Sequence, residues 1–134
     1  MTNRNSCYTY FKITGNFNPD EISSILGLTS EKQWCIGDKR LNGTAYDFAL
    51  WEIGRCTDYN VLTEKQMEKT IELLVPKIDL LKQIKQEYDV DFTLEIVPTV
   101  YVNETTPCLA PSDEIIRFCY ETDTRLDIDL YVSD

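Results

Sequence analysis

Carboxylates are the side chains of this 134-residue chain that are best placed to do chemistry, and they are concentrated in its last third. Residues 89–134 hold eleven acidic and two basic side chains, a charge of −9, whereas residues 1–88 carry only −1. In one segment Asp89 and Asp91 stand two positions apart, as do Asp127 and Asp129 in another, so a β-strand would turn both members of each pair to one face. If the two segments are strands of one sheet, the sequence predicts a single cluster of outward acids: Asp91, Glu95, Asp127 and Asp129.

Two kinds of chemistry fit such a cluster. Converging carboxylate oxygens can hold Mg²⁺ or Mn²⁺ for phosphoryl chemistry, but no glycine-rich phosphate loop accompanies the aspartates. Alternatively, the acids steer a basic protein toward tyrosines on the same face, since tyrosine is enriched in interface hot spots. We expect this partner surface to comprise Asp91, Glu95, Tyr101, Asp127, Asp129 and Tyr131, with Tyr8 and Tyr10 as additional candidates on the first strand. The same residues also fit an ordinary solvated sheet face.

Histidine is absent, which excludes the usual serine and cysteine triads and the commonest ligand of catalytic zinc. The five cysteines are an odd number, show no Cys-x-x-Cys spacing and follow no secretion signal, so we expect free thiols. We therefore predict no catalytic residue, no metal site and no cofactor, and we favour a non-enzymatic role.

A weaker candidate site surrounds the dipeptide Asn42-Gly43. Two indoles and nearby charges could line a pocket for a small planar ligand, with an arginine as the cationic contact. The residues of this predicted pocket are Trp34, Asp38, Arg40 and Trp51. Two tryptophans on neighbouring strands also fit cross-strand or core packing, so both interpretations stay open.

The first half of the chain shows clear element signals. Alternation predicts a strand over residues 7–14, and Asn18 with Pro19 predicts the start of a helix that ends at Leu26. Asn42-Gly43 predicts a hairpin between strands at residues 33–41 and 44–53.

A long helix is predicted over residues 64–88, with Thr63 and Gln66 as a capping box. Its apolar stripe runs through Met67, Ile71, Leu74, Ile78, Leu81 and Tyr88 and continues across Pro76, which favours a kink over a break.

The second half predicts a strand over residues 90–102 with Pro98 near an edge or a bulge, a helix over 112–121, and a strand over 125–132. In the last strand Leu126, Ile128, Leu130 and Val132 should face a core. The order β-α-β-β-α-β-α-β has six initial elements that match the ferredoxin-like plan. We predict one α+β domain over residues 1–134, with a single sheet and helices packed mainly on one face.

The composition also limits the setting. No apolar run approaches the ~20 residues of a membrane span, and no apolar stretch follows Met1 to Ser6, so we expect a cytoplasmic protein without a membrane partner. The net charge of −10 argues against sequence-independent binding of nucleic acid.

Several short motifs occur together in this sequence: Phe11-x-Ile13-x-Gly15, Phe17-x-Pro19-x-Glu21-Ile22, Leu26-Gly27, Gly37-Asp38, Trp51, the proline-bearing helix and Leu126-Asp127-Ile128-Asp129-Leu130-Tyr131. Together they resemble one bacterial family, the domain of unknown function four-two-seven-nine. The resemblance covers nearly the whole chain and implies small α+β proteins without an established reaction, so no catalytic residue can be carried over. It also implies a bacterial or phage origin and adds the possibility of an immunity protein that acts beside a toxin.

Taken together, the sequence favours a non-enzymatic protein-binding module, such as an immunity-type inhibitor of a basic toxin. The alternative is a small-ligand-binding protein or a carboxylate–metal-dependent enzyme that acts on phosphoesters.

Overall fold

A computed structural model describes residues 4–58 and 62–134 of the protein. A turn of 3-10 helix (Val75–Lys77) lies between the second and third α-helices. In chain order, the other elements are β1 (Ser6–Asn16), α1 (Pro19–Leu26), β2 (Lys32–Trp34), β3 (Ala49–Asp58), α2 (Thr63–Ile71), α3 (Ile78–Glu87), β4 (Asp89–Tyr101), α4 (Asp113–Thr122), β5 (Thr124–Ile128) and β6 (Tyr131–Ser133).

The strands form one mixed sheet in the order β2-β3-β1-β4-β5. β6 pairs with β4 on the same side as β5, beyond the end of β5. β1 lies between β3 and β4 and is antiparallel to both, whereas β5 and β6 are parallel to β4. The predicted α+β class with a single sheet is confirmed. Among the described residues, no helix has the length and apolar character that a membrane crossing requires.

Local capping explains where α1 and α4 begin and end. Asn18 Oδ1 accepts a hydrogen bond from the amide of Asp20 at 3.0 Å, and Gly27 closes α1 with a positive φ of 66°. Ser112 Oγ accepts from the amide of Ile115 at 3.4 Å at the start of α4. Both helices lie where the sequence predicts them.

The hairpin is shorter than predicted. Asn42-Gly43 does form a turn, with a bridge between Lys39 and Ala45, but β2 comprises only three residues and β3 starts at Ala49. The rings of Trp34 and Tyr46 stack at a centroid distance of 3.8 Å, and main-chain hydrogen bonds from Gly37 to Tyr46 and from Tyr46 to Asp38 hold the two arms together where the regular strands stop.

The long helix is broken rather than kinked. Pro76 lacks a main-chain donor and lies in the 3-10 turn that separates α2 from α3. The capping box is also wrong, because Leu62 is the N-cap of α2 and the Thr63 hydroxyl donates to the carbonyl of Cys108. Gln66 instead donates from Nε2 to the carbonyl oxygens of Cys7 at 2.7 Å and Cys56 at 3.0 Å.

All four described α-helices contribute to one hydrophobic core beneath the sheet. The Phe11 ring packs against Phe92 and Phe118 at centroid distances of 5.6 and 6.1 Å. The hydrophobic helix side chains buried in this core are Ile22, Leu26, Met67, Ile71, Leu81, Ile84, Ile115 and Phe118.

The predicted strand over residues 125–132 is divided into β5 and β6. Ile96 accepts from the amide of Asp129, so alternate residues of β4 turn their main chain toward β5 and β6, and Pro98 is one of them. Because proline has no N–H, it cannot continue this ladder where the strand is interrupted. Ile128, Leu130 and Val132, which were predicted to face a core, are exposed because the helices do not cover this end of the sheet.

The fold predicts unequal costs for two glycine substitutions. A Cβ on Gly54 would lie 2.4 Å from the carbonyl oxygen of Thr70, whereas a Cβ on Gly27 would meet no atom within 4 Å. Both residues have positive φ, so Gly27→Ala should cost about 1 kcal/mol from backbone strain alone. Gly54→Ala should cost about 3 kcal/mol or more because the main chain of α2 must also shift. Urea unfolding of both variants measures the difference, and equal costs would contradict the proposed contact.

Candidate functional site

The period-two alternation of β1 separates a covered face of the sheet from an open one. Phe11 and Ile13 are fully buried beneath the helices, whereas Tyr8, Tyr10 and Lys12 point to the other side. We call this second side the open face. The strand register continues it across the sheet, because Tyr8, Tyr10 and Lys12 pair with Val97, Glu95 and Thr93 of β4.

A β-bulge organises the centre of the open face. Tyr10 stands opposite both Gly54 and Arg55, since the register of β3 shifts between the partners of Thr9 and Phe11. Gly54 has a positive φ of 78°, as expected for the first residue of such a bulge. The extra residue brings Arg55 to the same face as Glu52, although the two are three positions apart. Arg55 Nη2 and Nε then contact Glu52 Oε1 at 2.9 and 3.2 Å.

Arg55 also covers two stacked tyrosines. The rings of Tyr8 and Tyr10 lie 6.1 Å apart at an interplanar angle of 12°. The guanidinium carbon of Arg55 is 4.8 Å from the Tyr8 centroid and 4.5 Å from the Tyr10 centroid, a cation–π arrangement. Burial and the nearby charges of Glu95 and Glu52 raise the pKa of Tyr10 to about 12, although Arg55 opposes the shift. The phenol of Tyr10 is therefore neutral near pH 7.

Glu95 is a buried acid rather than an exposed one. Only 6% of its surface is exposed, and its Oε1 accepts from Lys12 Nζ at 3.0 Å. Asp127 lies beside it on the parallel strand β5. Burial raises the pKa of Glu95 above its ordinary value; Lys12 opposes this shift, and Asp127 adds to it by hydrogen bonding and charge repulsion.

A polar groove of about 680 Å³ runs beside this carboxylate pair. Lys85 Nζ and Asp123 Oδ2, 3.3 Å apart, line one part of it. Its other charged and polar side chains include Lys12, Asp91, Thr93, Glu95, Arg125 and Asp127. Within residues 4–58 and 62–134, no three or more histidine, cysteine or acidic side chains are arranged to hold a metal ion. The groove thus offers mixed charges that suit hydrogen bonding to a polar ligand.

The other predicted partner-surface residues lie around the same strands. Asp91 and Asp127 are exposed on the open face, as the register of β1, β4 and β5 requires. Asp129 follows β5, and its Oδ2 accepts from the Tyr131 hydroxyl at 3.3 Å. The charge of Asp129 and this hydrogen bond raise the pKa of Tyr131. Tyr101 is half-buried, with the Arg4 guanidinium carbon 4.3 Å from its ring centroid.

The predicted pocket between the two tryptophans does not form. Trp51 is fully buried on the covered face and donates from Nε1 to Ser23 Oγ at 2.9 Å. Trp34 pairs with Leu50, the neighbour of Trp51, so alternation places its ring on the opposite face. Arg40 stacks on Tyr46, with its guanidinium carbon 4.5 Å from the ring centroid.

Asp38, the remaining residue of that predicted pocket, accepts from the amide of Cys35 at 2.8 Å and so closes its own turn. The five cysteines are free, as predicted. Burial raises the pKa of Cys119 to about 11, so this thiol is protonated near pH 7.

The comparison with known families agrees with the sequence motifs. Residues 5–133 match the sequence model of a family described as "Domain of unknown function (DUF4279)". The chain belongs to this family. No curated protein and no solved structure matches it significantly. The family description states no activity.

Sequence reasoning missed Arg55, Glu52 and Lys12 of this DUF4279 protein. Lys12 alternates with Phe11 and Ile13, which was a sufficient signal to place it beside Tyr8 and Tyr10. Arg55 could not be placed in this way, because the bulge at Gly54 reverses the alternation of β3.

The carboxylate pair gives the DUF4279 protein a testable titration. Asp127→Asn should lower the pKa of Glu95, because it removes a neighbouring negative charge, and Lys12→Met should raise it further. Carboxyl carbon NMR of Glu95 measures both shifts, and an unchanged pKa in Asp127→Asn would contradict the pairing.

The sign of the pH dependence follows from the same shift. The pKa of Glu95 in the folded protein lies above its ordinary value of 4.5, so the folded protein holds this proton more tightly than the unfolded chain does. The resulting stabilisation is fully present below pH 4.5. This contribution is lost as the pH rises through the raised pKa, and Glu95→Gln should remove that loss.

Proposed function

We propose that this protein is a non-enzymatic binding module that docks a basic protein on its open face, as an immunity-type inhibitor docks on a toxin. One observation carries the proposal. The four described helices cover a single face of the sheet, and the other face carries tyrosines together with exposed acids. Aromatic side chains surrounded by charged groups are the usual composition of a recognition surface.

The centre of the face supports contact with another protein. Tyr8 and Tyr10 are held in a fixed stack, and Arg55 is oriented by Glu52, so these large side chains lose little freedom on binding. Tyrosine and arginine are the residue types that contribute most often to interface hot spots.

The charge of the face supports a basic partner. Asp91, Asp127 and Asp129 are exposed and form no ion pair with any other described residue. By contrast, Lys12 and Arg55 are paired with Glu95 and Glu52. The unpaired charges near β5 are thus mainly negative. They would accelerate the approach of a basic protein, most strongly at low ionic strength.

The proposal extends to the fold family and the setting. The order β2-β3-β1-β4, with each neighbour antiparallel, supports a ferredoxin-like arrangement of the first six predicted elements. The proposed setting is the bacterial cytoplasm, and the free cysteines fit its reducing conditions.

A second candidate function rests on the groove beside Glu95. Its volume of about 680 Å³ and its mixed charges suit a small polar ligand, as the small-ligand alternative requires. A thermal-shift screen with nucleotides, amino acids and divalent metal ions tests this candidate. A stabilisation that disappears in Asp127→Asn would support a ligand site, and the absence of any stabilisation would argue against one.

The docking proposal predicts the effect of charge reversal. Asp127→Lys combined with Asp129→Lys should weaken binding to a basic, toxin-like protein from a neighbouring gene by about tenfold or more, since the steering charge changes sign. A pull-down followed by titration at low and high salt measures the loss.

The matched control reverses two acids of the helical layer, Glu72 just after α2 and Glu121 in α4. Glu72→Lys combined with Glu121→Lys makes the same change in net charge at exposed sites away from the sheet. This control should bind within about twofold of the unmodified protein. Equal weakening by both pairs of substitutions would mean that only net charge matters. Unchanged binding in the first pair, with an intact circular dichroism spectrum, would remove the proposed surface.

A further inference from the structure

One edge of the sheet is open. β5 and β6 run one after the other along the same side of β4, and no further strand of the described chain pairs with either of them. An unpaired edge presents a row of free N–H and C=O groups that can accept another strand.

The hydrogen bonds to β4 show which groups face outward. The amide of Asp129 donates to Ile96 O at 2.9 Å, and Ser133 O accepts from the amide of Val102 at 3.0 Å. N–H and C=O groups alternate sides along a strand. Odd-numbered residues such as Asp129 and Ser133 turn their main chain toward β4, so their even-numbered neighbours turn it away. The main-chain groups of Ile128, Leu130 and Val132 therefore point out of the sheet edge.

The side chains of this edge form two rows. Ile128, Leu130 and Val132 form an aliphatic row and are 42%, 51% and 65% exposed. Asp127, Asp129 and Tyr131 alternate with them in a second row, which we call the acidic row because it carries two carboxylates.

The opposite edge of the sheet differs. β2 has only three residues and begins with Lys32, whose Nζ lies 5.5 Å from the Trp34 centroid. Short length and an edge lysine are two features that discourage strand addition. β6 is as short as β2, but β5 and β6 together span residues 124–133 along β4, and this longer edge carries no lysine.

We propose that the β5–β6 edge binds an extended segment of the basic partner as an added strand, in which aliphatic and basic residues alternate. This inference rests on the proposed function and specifies the partner segment. The aliphatic side chains would cover the row at Ile128, Leu130 and Val132, and the basic ones would pair with Asp127 and Asp129.

Charge complementarity selects this occupant over a second copy of the chain. Edge-to-edge pairing of two copies would place the acidic rows of β5 next to each other, and like charges on neighbouring strands are destabilising. A basic strand reverses the sign of that interaction.

The probe is an acetylated heptapeptide in which lysine and valine alternate. A peptide of the same composition, with its lysines and valines in two blocks, controls for charge. A third peptide has the alternating sequence with N-methylated main-chain amides, which cannot form a ladder. Fluorescence anisotropy should show about tenfold tighter binding of the alternating peptide than of the block peptide, and loss of binding on N-methylation. Equal binding of all three peptides would overturn the proposed added strand.

Two protein variants locate the site. Val132→Lys adds a positive charge to the edge, and Ile116→Lys makes the same change at a 53% exposed position on α4. Val132→Lys should lower the affinity for the alternating peptide by about tenfold, whereas the affinity of Ile116→Lys should stay within about twofold of that of the unmodified protein. Equal affinity in the two variants, with circular dichroism showing both folded, would overturn the inference.

The remaining outcomes separate this inference from the proposed function. If light scattering shows a dimer that Val132→Lys dissociates, and the peptide does not bind, a second copy occupies the edge and the inference is wrong. If the whole basic partner binds Val132→Lys as tightly as the unmodified protein, the edge inference fails while the open-face proposal stands. If the partner does not bind the unmodified protein at all, the proposed function fails and the inference fails with it.

Discussion

The alternation of β1 is the constraint on which the rest of the structure depends. β1 is the central strand, hydrogen-bonded on both sides, so its side chains must point either into the helical layer or away from it. Phe11 and Ile13 lie in the core, so Lys12 between them must point to the opposite face. A one-residue slip would expose the aromatic core and bury Lys12 without its partner Glu95, so the register is strongly specified.

Buried hydrogen bonds hold the bulge of β3 against α2. Thr70 Oγ1 donates to the carbonyl of Gly54 at 2.7 Å and lies 2.7 Å from the hydroxyl of Thr9. Gln66 joins β1 to β3 by bridging two main-chain carbonyls. Since unsatisfied buried polar groups are costly, these contacts restrict α2 to one position over the bulge. They thereby set where Arg55 emerges on the open face, so core and surface are coupled at this point.

The charges of the protein divide into two classes with different consequences. Lys12 and Glu95 are paired on a largely buried site, where losing one partner would leave the other poorly solvated. Asp127 and Asp129 remain exposed beside an uncovered sheet edge. The first class stabilises the sheet, and the second forms no ion pair with any other described residue.

Cap residues and apolar periodicity in the sequence by themselves determined the α+β class, the bounds of α1 and the position of α4, because these signals are local. Alternation also placed Asp91 and Asp127 together on one face. Only the tertiary structure decided that Glu95 is buried, that Trp34 and Trp51 are separated, and that Arg55 joins Tyr8 and Tyr10. Each of these depends on which strands are neighbours, on the bulge at Gly54 or on where the helical layer stops. Those are contacts between residues far apart in the chain, and no local pattern encodes them.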